Sequence, residues 1–349
     1  MFTYKNSMEK INYSQLYTKL TKGLSAKTKD IFDRRFGVKT GKTETLESIG
    51  ESLGITRERV RQIEEVGFNF VRKNHQEALE KIFKGFSDYF VQKGGFKKEE
   101  IVLEELGGKR SRPYVLFLLT LSDQFVRVCG KKDYEYFWTL SRDTEKQVKD
   151  NLNSLVNDIE KHATLLTKPE LAANFASKYN MHDEAMASYL EISKKIQPNK
   201  EGKIGLVNWP EIKPRGVKDK AYLVFKKSEK PLHFREITKL IDTLNVGDAD
   251  KKTHPQTVHN ELIKDQRFVL VGRGMYALKE WGYVPGTIKD IITRVLHEKP
   301  HLVSQEEIVK EVLSQRLVAK NTVMINLNNK KYFGKDEQGK YMVRQIEIA

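Results

Sequence analysis

At 349 residues the chain exceeds the usual size of one hydrophobic core, so several modest domains are expected rather than one large one. Its 39% hydrophobic content fits folded domains, and a formal charge of +15 favours a polyanionic partner, nucleic acid ahead of an anionic membrane surface. The longest apolar run, Tyr114 to Leu121, is far short of the roughly 20 residues of a membrane span, and the opening "MFTYKNSMEKINYS" has no signal-peptide core. The single cysteine, Cys129, excludes an intrachain disulfide and a thiolate metal cage. A cytoplasmic, nucleoid-associated protein without metal, cofactor or membrane partner is expected; its oligomeric state is left open.

The first strong local signal is "LESIGESLGITRERVRQIE", Leu46 to Glu64. Thr45 can cap a short helix whose apolar residues Leu46, Ile49 and Leu53 recur on one face, and Gly54 supplies its stop. Gly50 permits a close helix crossing. Thr56 can cap a second helix starting at Arg57, and two helices joined by a tight glycine turn make a helix-turn-helix. A helical wheel puts Val60, Ile63, Val66, Gly67, Phe70 and Val71 toward the core and Arg57, Glu58, Arg61, Gln62 and Glu65 outward. That outward set occupies the N-terminal half of the helix, the part a recognition helix offers to base edges. Arg can pair with guanine, Gln with adenine, and Glu can accept from the cytosine amino group.

Residues 24–73, with "RRFGV", "TLESIG" and "GITRERVRQIE" in order, resemble region 4 of the sigma-70 family of bacterial RNA polymerase sigma factors. In that family the module reads the minus-35 promoter element and touches the flap of the polymerase β subunit. The resemblance implies base contacts by Arg57, Glu58 and Gln62, with Arg61 and Arg59 at bases or nearby phosphates, flanked by Thr45 and Thr56. Two departures stand out. Few residues precede the module, so a complete sigma factor is not expected. The helix end "EVGFNFVRK" also replaces the family's basic, Ala/Leu-rich one, and Gly67 there costs about 1 kcal/mol relative to Ala in a helix interior.

Beyond this module Trp138, Trp209 and Trp281 fall 71 and 72 residues apart, each closing a short β-like run, which points to an internal repeat. Every unit reads as helices, a strand, a Gly- or Lys-rich turn and a closing strand. In the last, Ser304 with Glu307 makes a capping box, Asn321 can cap the next helix, and "KKYFGKDEQGKYMV" supplies a two-stranded wing. The tryptophans are expected to plug cores rather than to stack on bases. The fold class expected is mainly α: an N-terminal helix-turn-helix followed by tandem winged-helix (α+β) units. The expected domains are 1–75 for the sigma-like module, then 76–143, 144–215, 216–285 and 286–349 for four winged-helix-like units.

The fourth of these five domains carries a second resemblance. "KPLHFREITKLI" and "THPQTVHNELIKDQRFVLVGRGMYALKEWGY", within 230–283, are similar to the HARE-HTH family, a winged helix of some bacterial polymerase delta subunits, chromatin-associated Asx-like proteins and proteins beside restriction enzymes. The resemblance implies association with DNA or polymerase but designates no contact residues. From the residues alone, Pro255 suits the first position of a helix that could turn Gln256, His259 and Asn260 outward over Val258 and Leu262. Arg273, between Gly272 and Gly274, either reaches a phosphate or is simply solvated at a hairpin tip.

No phosphate-binding loop, dinucleotide fingerprint or zinc-protease motif occurs. Glu211 and Lys213 form half of a nuclease motif, but its upstream Asp should end a strand and Asp183 sits in a helical stretch. "VNWPEIKPRGVKDKAYLVF" is better read as a domain junction, with a binding role open for Lys213 and Arg215. The sequence therefore favours a non-enzymatic, sequence-specific regulator that binds double-stranded DNA. The alternatives are an accessory factor on core RNA polymerase and a DNA-targeting part of a restriction or defence system.

Overall fold

A computed structural model describes residues 11–179, 181–243, 252–299 and 303–344. Most of the opening stretch read for a signal peptide lies outside them. The chain forms two compact units, Met1–Val207 and Asn208–Ala349. It is mainly α, with small antiparallel sheets.

The first unit begins with α1 (Tyr13–Leu20), α2 (Ala26–Phe36), α3 (Leu46–Leu53) and α4 (Arg57–Asn74). Asn12, Ser25, Thr45 and Thr56 cap them, each side chain accepting a first-turn backbone N–H. Gly37 and Gly54, both left-handed, end α2 and α3. The helix-turn-helix limits expected from the caps and the glycine are therefore the observed ones.

The buried face of α4 differs from the wheel in one respect: Val66 is 70% exposed and Phe70 half-buried, while Glu64 and Phe68 face inward. The cause is a change of partner along the helix. Val60 and Ile63 pack with Ile31 and Ile49, whereas Phe68 and Val71 enter a larger core with Phe32 and Phe36, so the buried stripe drifts around the axis. Gly67 sits where the helices approach: a Cβ there would lie 2.6 Å from Thr28 Cγ2 and 2.8 Å from Phe32 Cζ.

Winged-helix units follow. The first comprises α5 (Gln76–Gln92), β1 (Phe96–Lys98), α6 (Glu99–Leu121), β2 (Val126–Val128) and β3 (Phe137–Thr139), with strand order β1-β3-β2. Left-handed Gly108 breaks α6 into two helices, giving the order helix, strand, helix, helix, strand, strand. The second has α7 (Arg142–His162), α8 (Lys168–Tyr179), α9 (Asp183–Ile192), β4 (Ile196–Pro198) and β5 (Ile204–Leu206). A single bridge from Leu166 to Ile204 replaces its first strand.

In the second compact unit, α10 (Gly216–Ser228), β6 (Leu232–His233), α11 (Phe234–Thr243), α12 (Pro255–Lys264), β7 (Phe268–Gly272) and β8 (Met275–Leu278) repeat the plan, with order β6-β8-β7. The last repetition is α13 (Ile288–Glu298), α14 (Gln305–Gln315), α15 (Lys320–Leu327), β9 (Phe333–Lys335) and β10 (Tyr341–Val343), its first strand reduced to a bridge from Val303 to Tyr341. In all of them the first strand pairs with the last, which is the regularity behind the spacing of the tryptophans.

Ser304 and Glu307 form the expected capping box. Asn321 does not cap α15, which begins one residue earlier at Lys320 with Ala319 as N-cap, because the chain turns before the asparagine. Of the tryptophans, Trp138 is 2% exposed and donates to Glu99 at 2.9 Å. Trp281, edge-on to Phe225 at 5.9 Å, and Trp209 are only half-buried, since both stand in turns just past their strands.

Replacing Gly67 by Ala should raise intrinsic helix propensity yet lower stability by about 1–3 kcal/mol, the usual cost of overpacking. Denaturant unfolding of the full chain checks this; a gain in stability would show that α2 and α4 are not in close contact.

Candidate nucleic-acid interface

The helix-turn-helix is held by polar clamps as well as by its apolar core. Arg34 on α2 grips Glu44 with two hydrogen bonds of 3.1 and 2.6 Å and reaches Ser52 Oγ on α3 at 2.6 Å. Arg35 donates to the Glu44 carbonyl at 3.0 Å. The two arginines of "RRFGV" thus fix the loop that delivers α3. Gly50 faces the turn: an added Cβ would lie 2.6 Å from the Ile55 carbonyl oxygen, which explains its place in the middle of α3.

These constraints leave the first two turns of α4 facing solvent, with Arg57, Glu58, Arg59, Arg61 and Gln62 all exposed. Glu58 accepts from Arg61 through Nε at 3.0 Å and Nη2 at 2.9 Å, and Arg59 Nη1 donates to Gln62 Oε1 at 3.0 Å. The hydrogen bond from Arg61 holds the Glu58 carboxyl below its ordinary range and raises the arginine in turn. Arg57 forms no ion pair with a described residue. Exposed pairs of this kind are weak and open readily, so all five side chains are available to a ligand. Thr45 and Thr56 lie beside them, their hydroxyls accepting from Ser48 N at 3.1 Å and Arg59 N at 3.2 Å.

Directly behind this face is a carboxylate that sequence reading passed over. Glu64 is 9% exposed, its Oε1 has no hydrogen-bond partner, and Arg35 Nε stands 3.7 Å away. Burial, outweighing the attraction of Arg35, raises the Glu64 carboxyl above its ordinary value.

The third helices of the winged units differ in availability. The second half of α6 buries Val115, Phe117, Leu118, Leu119 and Leu121 in one core with the helix-turn-helix. In the next unit α9 buries Ala185, Met186, Ser188, Tyr189 and Ile192. It lies against the preceding unit: a Cβ on Gly94 would be 2.5 Å from Ala185 Cβ, Ser188 Oγ donates to the Lys93 carbonyl at 2.9 Å, and buried Lys97 pairs with Glu191 at 2.7 Å. Asp183 opens this helix rather than ending a strand, as the incomplete nuclease motif would need.

By contrast α12 buries only Val258 and Leu262, and Gln256 and Asn260 are exposed and bonded to each other at 3.1 Å. His259 does not point freely outward as expected. It is half-buried, 3.1 Å from the Tyr276 hydroxyl and packed on the Phe234 ring, because its position on the wheel borders the sheet. Arg273 is exposed in the β7–β8 turn, with left-handed Gly274 beside it. On α15 Lys320, Asn321, Thr322 and Ile325 are exposed, residues that no sequence motif had singled out as a contact face.

Residues 22–73 match the family model of sigma-70, region 4. The chain carries a sigma-70 region 4 module. Residues 215–281 match the family model of HARE-HTH, the helix-turn-helix domain named for ASXL and restriction endonuclease proteins, and the match takes in α10 ahead of the residues that carried the resemblance. The chain is also 43% identical over 61 residues to the RNA polymerase sigma factor sigB of Arabidopsis thaliana, an overlap of 16% of this chain and 11% of that protein. This chain therefore matches about a ninth of its relative's length. Both matched families are helix-turn-helix domains. Among the described residues no group of three His, Cys, Asp or Glu side chains is placed to hold a metal ion, and no helix is long and apolar enough to cross a membrane.

The sigma-70 region 4 module should show its buried carboxylate in pH-dependent unfolding. With the Glu64 carboxyl raised, the folded state keeps its proton to higher pH than the unfolded chain. Its contribution is fully present below the ordinary Glu range and is lost as pH rises through the raised value. Glu64→Gln should therefore exceed the parent in stability near neutral pH and converge with it as pH falls into the ordinary range. A gap of constant size across that window would contradict a raised Glu64.

Proposed function

We propose that the protein is a sequence-specific DNA-binding transcription regulator, reading a short duplex site with α4 of its sigma-70 region 4. The observation that carries this reading is the outward cluster at the start of α4. Arg57, Glu58, Arg59, Arg61 and Gln62 are exposed together on a capped helix that the Arg34–Glu44 clamp and Gly50 hold against α3. Their donors and acceptors match base edges in the major groove. Thr45 and Thr56 flank the cluster where phosphates would pass, and the chain's charge of +15 supplies sequence-independent attraction. In the second compact unit Gln256, Asn260 and Arg273 extend the contact, and the half-buried His259 acts from behind α12.

A second reading, an accessory factor docking on core RNA polymerase, is supported by Val66. This side chain is 70% exposed on the same helix, beyond the base-reading turn, where an apolar contact to a protein surface would be useful.

Under the first reading, Gln62→Ala should weaken the selected site by about 1–3 kcal/mol and leave random duplex unchanged. Equal losses on both, measured by fluorescence anisotropy, would remove Gln62 from base reading. Retention of purified core polymerase by the immobilised full chain without DNA, lost on Val66→Lys, is the outcome expected under the second. No retention, alongside a tight DNA site, rejects that second reading.

A further inference from the structure

We propose that the last winged unit is a separate anchor on duplex DNA, in which the turn after α15 and the β9–β10 hairpin grip the phosphate backbone. The inference rests on the DNA-binding reading above and assigns a site to residues that neither family match covers. Residues 319–344 contain six basic side chains, Lys320, Lys330, Lys331, Lys335, Lys340 and Arg344, against two acidic ones, Asp336 and Glu337.

None of the six forms an ion pair with a described residue. Asp336 is occupied in building the hairpin turn, accepting from Lys340 N at 2.7 Å while its own N–H donates to the Lys340 carbonyl at 2.9 Å. Elsewhere the unit pairs its cations: Arg267 is held by Asp219 at 2.8 Å and Asp265 at 2.7 Å, and Arg294 by Glu298 at 2.7 Å. Cations left unpaired at this density repel one another, and a polyanion relieves that cost.

The same residues are held together. The Tyr341 hydroxyl on β10 bonds to Asn328 at the end of α15 at 3.3 Å and to Gln305 at 3.2 Å, and Arg344 N donates to the Tyr332 carbonyl at 2.9 Å. The ammonium groups of Lys331 and Lys335 lie 5.7 and 5.4 Å from the Tyr332 and Tyr341 rings, so their stems rest on aromatic surface while the charged ends stay accessible. The exposed face of α15 adds Asn321 and Thr322 beside Lys320. The α12 unit lacks this excess: over 255–278 Glu261 and Asp265 offset Lys264, Arg267 and Arg273. An extended row of cations on a rigid hairpin beside an exposed helix fits the regular phosphates of a duplex.

The test is the salt dependence of binding by the full chain to a random-sequence duplex, read by anisotropy. Each lost phosphate contact lowers the slope of log K against log salt by about 0.9, so the variant K330Q/K335Q/K340Q should have a slope shallower by about 2 to 3. Its melting temperature should equal the parent's, since all three side chains lie at the surface. The independent pair K331Q/R344Q should lower the slope by about 2 and guards against a folding defect in the first variant. Unchanged slopes in both variants, with the parent binding duplex, overturn this anchor while leaving the role of α4 intact. A parent that binds no duplex overturns both. Tighter binding of the parent to a single strand, lost in the variants, would overturn the assignment to duplex.

Discussion

In the first compact unit the rings of Tyr17, Phe32, Phe36 and Phe68 surround Phe117 with centroids 5.1, 5.4, 5.4 and 6.1 Å away. Helices α1, α2 and α4 of the sigma-like module supply the four, and the third helix of the next unit supplies the fifth. Each such aromatic pair adds about 0.5–1.5 kcal/mol beyond the apolar area it buries. The cluster closes a core that a fifty-residue helical module would build poorly alone. It has a functional consequence: a helix that buries Phe117, Leu118 and Leu121 against its neighbour cannot also lie in a groove. Lys97 and Glu191 tie the following unit down in the same way. Base reading in this half of the chain is left to α4, on a scaffold made rigid by the third helices it covers.

The second compact unit joins its two winged helices differently. Leu317 N donates to the Val271 carbonyl at 2.7 Å, extending the sheet at β7 and covering part of its edge. Gly272 permits the approach, since a Cβ there would be 2.8 Å from the Leu317 carbonyl oxygen. Arg316, 4% exposed, donates to the Val284 and Gly286 carbonyls at 2.7 Å each, and burial lowers its pKa. The junction is made by backbone and linker, so α12 and α15 keep polar faces in solvent. The two units thus use their third helices in opposite ways.

Much of this was legible from local signals. Thr45, Gly54, Thr56, Ser304 and Glu307 act within a few residues of themselves, so the helices they begin or end could be read directly. The repeat was legible because each unit ends on an aromatic strand. What escaped depends on contacts distant in sequence. Val66 and Phe68 exchanged places because α4 meets two partners in succession, which a single wheel does not represent. Gly67 looked like a defect in a helix; it is the contact surface for Thr28 and Phe32. The burial of α9 is set by Gly94 and Lys97, some ninety residues earlier, and no periodicity within α9 announces it. The basic hairpin was visible as a wing, but its unpaired charge required knowing that Asp336 is used by the turn.

The central claim is that α4 reads sequence. Selection of bound duplexes from a random library by the full chain tests it most directly. A short enriched motif, lost when Arg57 and Gln62 are replaced by Ala, is the expected result. Retention of duplex DNA with no enriched motif, or a motif unchanged by those substitutions, would contradict it.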